Sequence, residues 1–258
     1  MRRHCLFACE GAELVGTLDE APGTTGLLIV SGGNELRSGA WGGQALLAAR
    51  IAAAGFPVFR FDRRGVGDST GRNGGFRGAG PDIAAALATF RQEAPQVTRM
   101  VAFGNCDGAA ALMLNAGAGA QALVLANPWT IEEESAAEAP AADSLRAHYR
   151  QRLSDPAALL RLLKGGVSLG PLLRSLAGAA RKAPTATLAG ELKAGLAQFA
   201  GPATILLAAR DRTAQTFLAR WDRADPRLRH CPGASHSFVE AEARDWLAER
   251  LLESLSAP

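Results

Sequence analysis

The stretch VAFGNCDGAAAL, residues 101–112, decides how this chain is interpreted. Its first half is apolar and β-branched and predicts a buried strand, whereas its second half is a run of small residues that predicts a slim helix. Cys106 lies on the short turn between them. It is either a nucleophile presented by that turn or a small buried residue, and the neighbouring glycines help to separate the two interpretations.

The turn Gly104-Asn105-Cys106-Asp107-Gly108 fits the pattern G-x-C-x-G, the thiol form of a nucleophile elbow. Such a turn holds its central residue at positive φ, and it requires small residues on either side because the strand and helix backbones nearly touch. Gly104 and Gly108 meet this requirement. The turn would present Cys106 at the carboxyl end of a parallel sheet, where α/β folds place their sites. We therefore predict that Cys106 is a nucleophile, with a structural cysteine as the alternative.

Short apolar runs alternate with helical patterns along most of the chain. The apolar runs have the length of strands buried in a parallel sheet, and they cover residues 26–31, 57–62, 99–104, 122–127 and 203–209. The helical patterns cover residues 41–54, 81–94, 107–116, 213–222 and 238–255. Residues 4–9 and 13–19 fit an antiparallel hairpin added to the edge. This order predicts an α/β fold with a doubly wound, mostly parallel sheet.

A long helical segment interrupts this alternation. Its first part, residues 131–143, contains five acidic side chains and no Lys or Arg, whereas residues 144–182 contain eight basic side chains and one acidic one. Leucines recur at helical spacing in the second part. We predict a helical cap at residues 129–200, inserted into a core made of residues 1–128 and 201–258.

A cysteine nucleophile needs a base, and the base needs a group that orients it. His236 lies in PGASHSF, a loop before the last helix, where the order nucleophile, acid, histidine places the base. A histidine that only caps a loop or helix is the alternative. Asp211 follows the strand at 203–209 and is the predicted acid, although it also suits the N-cap of the next helix. Asp222 and Asp225 are weaker candidates for the acid.

An acyl-transfer site also needs two backbone N–H groups that stabilise an oxyanion. One is expected from Asp107, the residue after the nucleophile, and the other from Gly33 or Asn34 in the loop after the third strand. A plain tight turn is the alternative for that loop. In the stretch FDRRGVGDS, residues 61–69, Arg64 is predicted to brace the loops around the site rather than to contact substrate.

Composition and charge exclude several classes of function. The formal net charge of +3 is too small, and the Lys and Arg residues are too scattered, for a nucleic-acid-binding protein. No apolar run reaches about 18 residues, so no membrane insertion is predicted, and the first residues lack the apolar core of a signal peptide. The four cysteines lack CxxC spacing, which argues against a metal site and favours free thiols in a reducing cytoplasm. No cofactor is implied, and the oligomeric state stays open.

The chain resembles the α/β-hydrolase superfamily from end to end and, more narrowly, the exosortase A system-associated hydrolases of type 1. The motifs that carry the resemblance are SGGNELRSGAW (31–41), FRFDRRGVGDSTG (59–71), FGNCDGAAAL (103–112), NPW (127–129), HYRQRLSDPAALLRLLKGG (148–166), ARDRTAQTF (209–217) and ASHSF (234–238). The resemblance implies Cys106 as nucleophile, His236 as base and Asp211 as acid, in agreement with the residue-based prediction. It implies no particular substrate.

These features predict an acyl hydrolase that acts on a small-molecule ester or thioester through a thioester acyl-enzyme. If the site excludes water, the same chemistry with an alcohol or amine acceptor gives an acyltransferase. A non-catalytic scaffold or binding protein that kept the fold is the alternative of a different class. The reactivity of the Cys106 thiol toward a small electrophile distinguishes these interpretations, because a scaffold needs no reactive thiol.

Overall fold

The structure, a computed structural model, describes residues 1–131 and 187–257. The chain divides into two units, one of Met1–Thr130 with Glu191–Pro258 and one of Ile131–Gly190. The sheet and the candidate site belong to the first unit. The predicted cap at residues 129–200 lies for the most part outside the described residues and stays a prediction, while its last part, residues 191–200, belongs to the first unit.

Eight strands of the first unit form one sheet. They are β1 (Arg2–Cys9), β2 (Ala12–Asp19), β3 (Thr25–Val30), β4 (Val58–Phe61), β5 (Arg99–Asn105), β6 (Ala122–Ala126), β7 (Ala203–Ala208) and β8 (Leu228–Cys231). Their spatial order is β1-β2-β4-β3-β5-β6-β7-β8. The pairs β1/β2 and β2/β4 are antiparallel, and the remaining neighbours are parallel. The predicted hairpin therefore forms one edge of an otherwise parallel sheet.

Six α-helices are described in the residues that the structure covers, and the last of them follows β8. They are α1 (Gly43–Ala53), α2 (Gly80–Glu93), α3 (Asp107–Leu114), α4 (Leu188–Ala197), α5 (Arg212–Ala219) and α6 (Ala241–Ser256). Helices α1, α2, α3 and α5 each join a strand to a later one that runs in the same direction, which is the connection a parallel sheet requires. Short 3-10 turns at Ala40–Gly42 and Ala116–Gly119 complete the helical parts.

The strands bury side chains on both faces of the sheet, which explains why they read as continuous apolar runs. On one face, Leu27 and Ile29 of β3 and Phe103 of β5 pack with residues of α1 and α6 in a single buried cluster. On the other face, the rings of Phe59 and Phe90 stack with centroids 5.6 Å apart and fix α2 against β4. Layers of helix on both faces thus hold the strand ends in place.

The predicted α/β fold with a doubly wound, mostly parallel sheet is confirmed. Strands β3, β5, β6, β7 and β8 all end on the same side of the sheet, so the loops that follow them meet there. Those loops carry every residue that the sequence predicts for the catalytic chemistry. Within residues 1–131 and 187–257, the helices are all too short or too polar to cross a membrane.

Candidate active site

Cys106 sits on a sharp turn between β5 and α3, and its backbone is strained. Its φ is 59° and its ψ is −123°, a conformation that non-glycine residues rarely adopt. A Cβ on Gly104 would lie 2.5 Å from the carbonyl carbon of Gly108, and a Cβ on Gly108 would lie 2.4 Å from the Val30 oxygen. Only glycine fits at either place, so the strand and helix backbones approach as the G-x-C-x-G pattern predicts.

The structure brings the Cys106 thiol, the His236 ring and the Asp211 carboxylate together in a chain of contacts. His236 Nδ1 lies 2.9 Å from Asp211 Oδ2, and the His236 ring is in hydrogen-bond contact with the Cys106 side chain. Since Nδ1 faces Asp211, Nε2 is the nitrogen available to the sulfur. This order of thiol, imidazole and carboxylate is the arrangement of a nucleophile, a base and an orienting acid.

Asp211 makes the contacts of both roles that the sequence left as alternatives. Its Oδ1 accepts a hydrogen bond from the Thr213 N–H, and its Oδ2 accepts one from the Ala214 N–H, both at 3.1 Å, so it caps α5. The same Oδ2 is the oxygen that faces His236. The Asp211 side chain is buried, and the cap bonds hold its carboxylate in one orientation for the histidine.

The surroundings of His236 favour its charged form. The hydrogen bond with Asp211, followed by that with Cys106, raises the pKa of His236 from 6.5 to about 10, against the opposing effect of burial. The ring is therefore protonated at neutral pH. A protonated imidazole beside a thiol stabilises the thiolate, which is the form of cysteine that attacks a carbonyl.

Two asparagines, for which the sequence analysis predicted no role, hold the His236 loop. Asn105 Nδ2 donates to the His236 carbonyl oxygen at 3.1 Å, and Asn127 Nδ2 donates to the same oxygen at 3.2 Å and to Asn105 Oδ1 at 3.0 Å. Asn127 is fully buried and its Oδ1 accepts the Ala208 N–H at 2.9 Å. Their positions at the carboxyl ends of β5 and β6 were the signal that could have identified them.

The loop predicted to supply an oxyanion donor lies against the nucleophile turn. A Cβ on Gly32 would lie 2.6 Å from the Asn105 oxygen, so this glycine allows the close approach. The Gly33 N–H donates to Asp107 Oδ1. The Asn34 N–H has no acceptor within hydrogen-bond distance among the described residues. The Asp107 N–H is in the first turn of α3, where no intrahelical acceptor exists.

The arginine that contacts this loop is Arg63, a residue for which the sequence patterns predicted no role. Arg63 is buried, donates to the Gly33 carbonyl oxygen and lies 3.5 Å from Asp107 Oδ1. Arg64, predicted to brace the loops around the site, instead binds Asp82 at the start of α2 and Glu10 in the β1–β2 turn. The two neighbouring arginines therefore bind different partners, and of the two only Arg63 contacts the candidate site.

The other three cysteines lie elsewhere, and the pKa of each of their thiols is raised. Burial raises the pKa of Cys9 to about 11, with a further contribution from its hydrogen bond to Asp82. Burial also raises the pKa of Cys5 and of Cys231. Within residues 1–131 and 187–257, no three His, Cys, Asp or Glu side chains are grouped as metal ligands would be.

The sequence and the fold of this chain are similar to those of known proteins. Residues 27–250 match the alpha/beta hydrolase family. No curated protein is similar enough in sequence to count as a match. Among solved structures, the Pyrococcus furiosus esterase Pf2001 has a TM-score of 0.61 at 16% identity, covering 98% of this chain and 88% of that one.

Two further solved structures are similar over nearly the whole chain. The alpha/beta hydrolase GrgF from Penicillium sp. sh18 has a TM-score of 0.65 at 17% identity, covering 99% of this chain and 98% of that one. The thioesterase domain from the curacin biosynthetic pathway has a TM-score of 0.56 at 16% identity, covering 98% and 99%. At these sequence identities, the similarity shows a shared fold only.

Proposed function

We propose that this chain, which belongs to the alpha/beta hydrolase family, hydrolyses a carboxylic ester or thioester with Cys106 as its nucleophile. The observation that carries the proposal is the contact chain from the Cys106 thiol through His236 to Asp211, at a strained turn that presents the thiol. The similarity to esterases and to a thioesterase domain agrees with this class of reaction.

In the first half of the reaction, the Cys106 thiolate attacks the carbonyl carbon of the substrate. The carbonyl oxygen becomes an oxyanion, and the backbone N–H of Asp107 is one donor positioned to stabilise it. When the tetrahedral adduct collapses, the bond to the leaving alcohol or thiol breaks. His236, protonated at neutral pH, donates its proton to that leaving group, and a thioester to Cys106 remains.

In the second half, water attacks the thioester. Neutral His236 accepts one proton from the water as the new carbon–oxygen bond forms. The second tetrahedral adduct then expels the Cys106 thiolate and releases the carboxylic acid product. His236 keeps the proton it accepted, so the pair of thiolate and imidazolium is restored. Asp211 holds the ring in one orientation throughout and stabilises its positive charge.

Two finer assignments belong to the same proposal. The Cys-Asp elbow at residues 106–107 and the Asn-Pro-Trp at residues 127–129 support a place among the exosortase A system-associated hydrolases of type 1. The cap segment that also supports it lies outside the described residues. All four cysteines are free thiols, which supports a cytoplasmic location because disulfides are rare there.

A labelling experiment tests the nucleophile directly. The wild-type protein is incubated with iodoacetamide at neutral pH, and adducts are located by mass spectrometry while hydrolysis of a panel of p-nitrophenyl esters and acyl thioesters is followed. We expect Cys106 to be modified first and activity to be lost in proportion. Cys106→Ala should lose both activity and rapid labelling, whereas Cys5→Ala removes a distant thiol and should keep both. Modification of other cysteines with Cys106 untouched would contradict the proposal.

A further inference from the structure

A groove of about 360 Å³ opens between α1 and α6. Its walls are mainly apolar, and the large apolar side chains that line it are Trp41, Leu46, Leu47, Phe103, Phe238 and Leu247. Leu46 is 59% exposed and Trp41 is 45% exposed. A concave surface lined by large, exposed apolar side chains is typical of a binding site.

The groove begins beside the candidate catalytic residues. Asn105 and Ser237 line it, and they are the immediate chain neighbours of Cys106 and His236. Both α1 and α6 start at the carboxyl edge of the sheet, where the Cys106 turn also lies. A substrate whose carbonyl carbon is bonded to the Cys106 sulfur therefore has this groove directly beside its acyl substituent.

The charged side chains of the groove are already engaged with partners of the protein. Arg50 forms an ion pair with Asp245, and the Arg244 guanidinium lies over the Trp41 ring, 5.6 Å from its centroid. Glu35 accepts a hydrogen bond from Gln44. Because the two arginines are paired or stacked and Glu35 adds a negative charge, the walls favour an uncharged, apolar occupant over an anionic one.

The shape of the groove suits a linear group. Its lining on α1 extends from Gly43 to Arg50, which is a length of about 10 Å along the helix axis. Arg50 and Asp245 mark the far end, opposite Asn105 and Ser237. An apolar groove of this length, with Asn105 and Ser237 at one end, accommodates an extended hydrocarbon chain whose polar head lies toward Cys106.

We infer that this groove binds an unbranched, medium-length alkyl chain in the acyl group of the substrate, an inference that rests on the proposed hydrolytic function. The chain covers Leu46 and Trp41, and each methylene that leaves water strengthens binding by about fourfold. The groove between α1 and α6 then contributes to chain-length selectivity.

The test compares two variants on the same helix. Leu46→Glu places a charge in the groove, whereas Ala49→Glu makes the same charge change on an exposed residue outside it. Both side chains are exposed, so we expect both variants to fold. We expect Leu46→Glu to lower kcat/KM for p-nitrophenyl octanoate at least about tenfold and to change that for p-nitrophenyl acetate less than twofold. Ala49→Glu should match the wild type on both esters.

A binding measurement separates failure of the groove from failure of the hydrolytic function. Octanamide, an uncharged mimic of the acyl group, is titrated into each protein by calorimetry, and we expect binding to the wild type and Ala49→Glu but not to Leu46→Glu. If no ester or thioester is hydrolysed and octanamide still binds in this pattern, the inference about the groove is supported and the proposed hydrolytic function is wrong. Equal losses on both esters, an unchanged octanoate rate in Leu46→Glu, or no octanamide binding to the wild type would overturn the inference.

Discussion

The two sides of the candidate site differ in what their polar groups bind. On the His236 side, the carboxylate of Asp211 and the amides of Asn105 and Asn127 all hold the histidine or its loop. On the Gly33 side, the loop N–H donates to Asp107, a side chain of the protein itself. For the proposed function, the comparison means that the groups for proton transfer are in contact before substrate arrives, whereas the Gly33 N–H would have to leave Asp107 before it could stabilise an oxyanion.

Separating the two roles of Asp211 gives the largest expected effect. Asp211→Asn keeps an N-cap of similar strength but loses the charge that orients His236 and keeps its ring protonated. We therefore expect kcat to fall by about ten-thousandfold while the melting temperature stays nearly unchanged. Asp211→Ala should lose the same activity and also about 1 kcal/mol of stability. Ester hydrolysis and thermal unfolding of both variants measure this. Substantial activity in Asp211→Asn would show that the His236 side is not prepared in this way.

Loosening the His236 loop sharpens the same side of the comparison. Asn127→Ala removes the amide that donates to the His236 carbonyl and to Asn105, so the ring loses its fixed position and we expect kcat to fall by about a hundredfold. Binding of octanamide should change little. The matched variant Asn115→Ala removes an asparagine after α3, whose amide bonds to Ala111, and should keep kcat near that of the wild type. Similar rates in the two variants would contradict a positioning role for Asn127.

Titration of His236 gives the next effect. Its pKa of about 10 in the folded protein predicts that kcat/KM falls above pH 10 by about tenfold per pH unit, because the leaving group loses its proton donor. The folded pKa is raised above 6.5, so the stability this group contributes is complete below about pH 6.5 and is lost as pH rises through about 10. A pH–rate profile and denaturant titrations at several pH values measure both. In Asp211→Asn the alkaline fall in kcat/KM should begin at a lower pH. If it begins at the same pH as in the wild type, a group other than His236 causes it.

The smallest expected effect concerns the Gly33 side. Asp107→Asn keeps the size of the side chain and removes its negative charge, so its hydrogen bond to the Gly33 N–H weakens by about 1 kcal/mol. If that N–H serves the oxyanion, we expect kcat to rise about fivefold with little change in KM. Steady-state kinetics on one ester measure this, with Asp68→Asn, an exposed carboxylate in the loop after β4, as the control. A fall in kcat would show that the Asp107 carboxylate assists the reaction, and the two sides of the site would then not differ in the way described.

Sequence patterns were sufficient where the chemistry is local. Alternating apolar runs and helical patterns predicted the parallel sheet, since burial on both faces leaves a signal in each strand separately. Gly104 and Gly108 predicted the turn at Cys106, because close backbone contact excludes any side chain there. Chain order at strand ends selected His236 and Asp211, and the structure places their side chains 2.9 Å apart. Their catalytic roles stay a prediction.

Only the tertiary structure decided which groups occupy the space between those elements. Residues 63 and 64 are both arginine, and the direction in which each side chain leaves the backbone determines that Arg63, not Arg64, reaches Gly33 and Asp107. Asn127 acts on His236 across more than a hundred residues of chain, a contact for which sequence spacing has no signal. The groove between α1 and α6 likewise exists only because two distant helices leave a gap. Local sequence thus determined the elements and the reactive turn, whereas packing between distant segments determined the partners and the shape of the site.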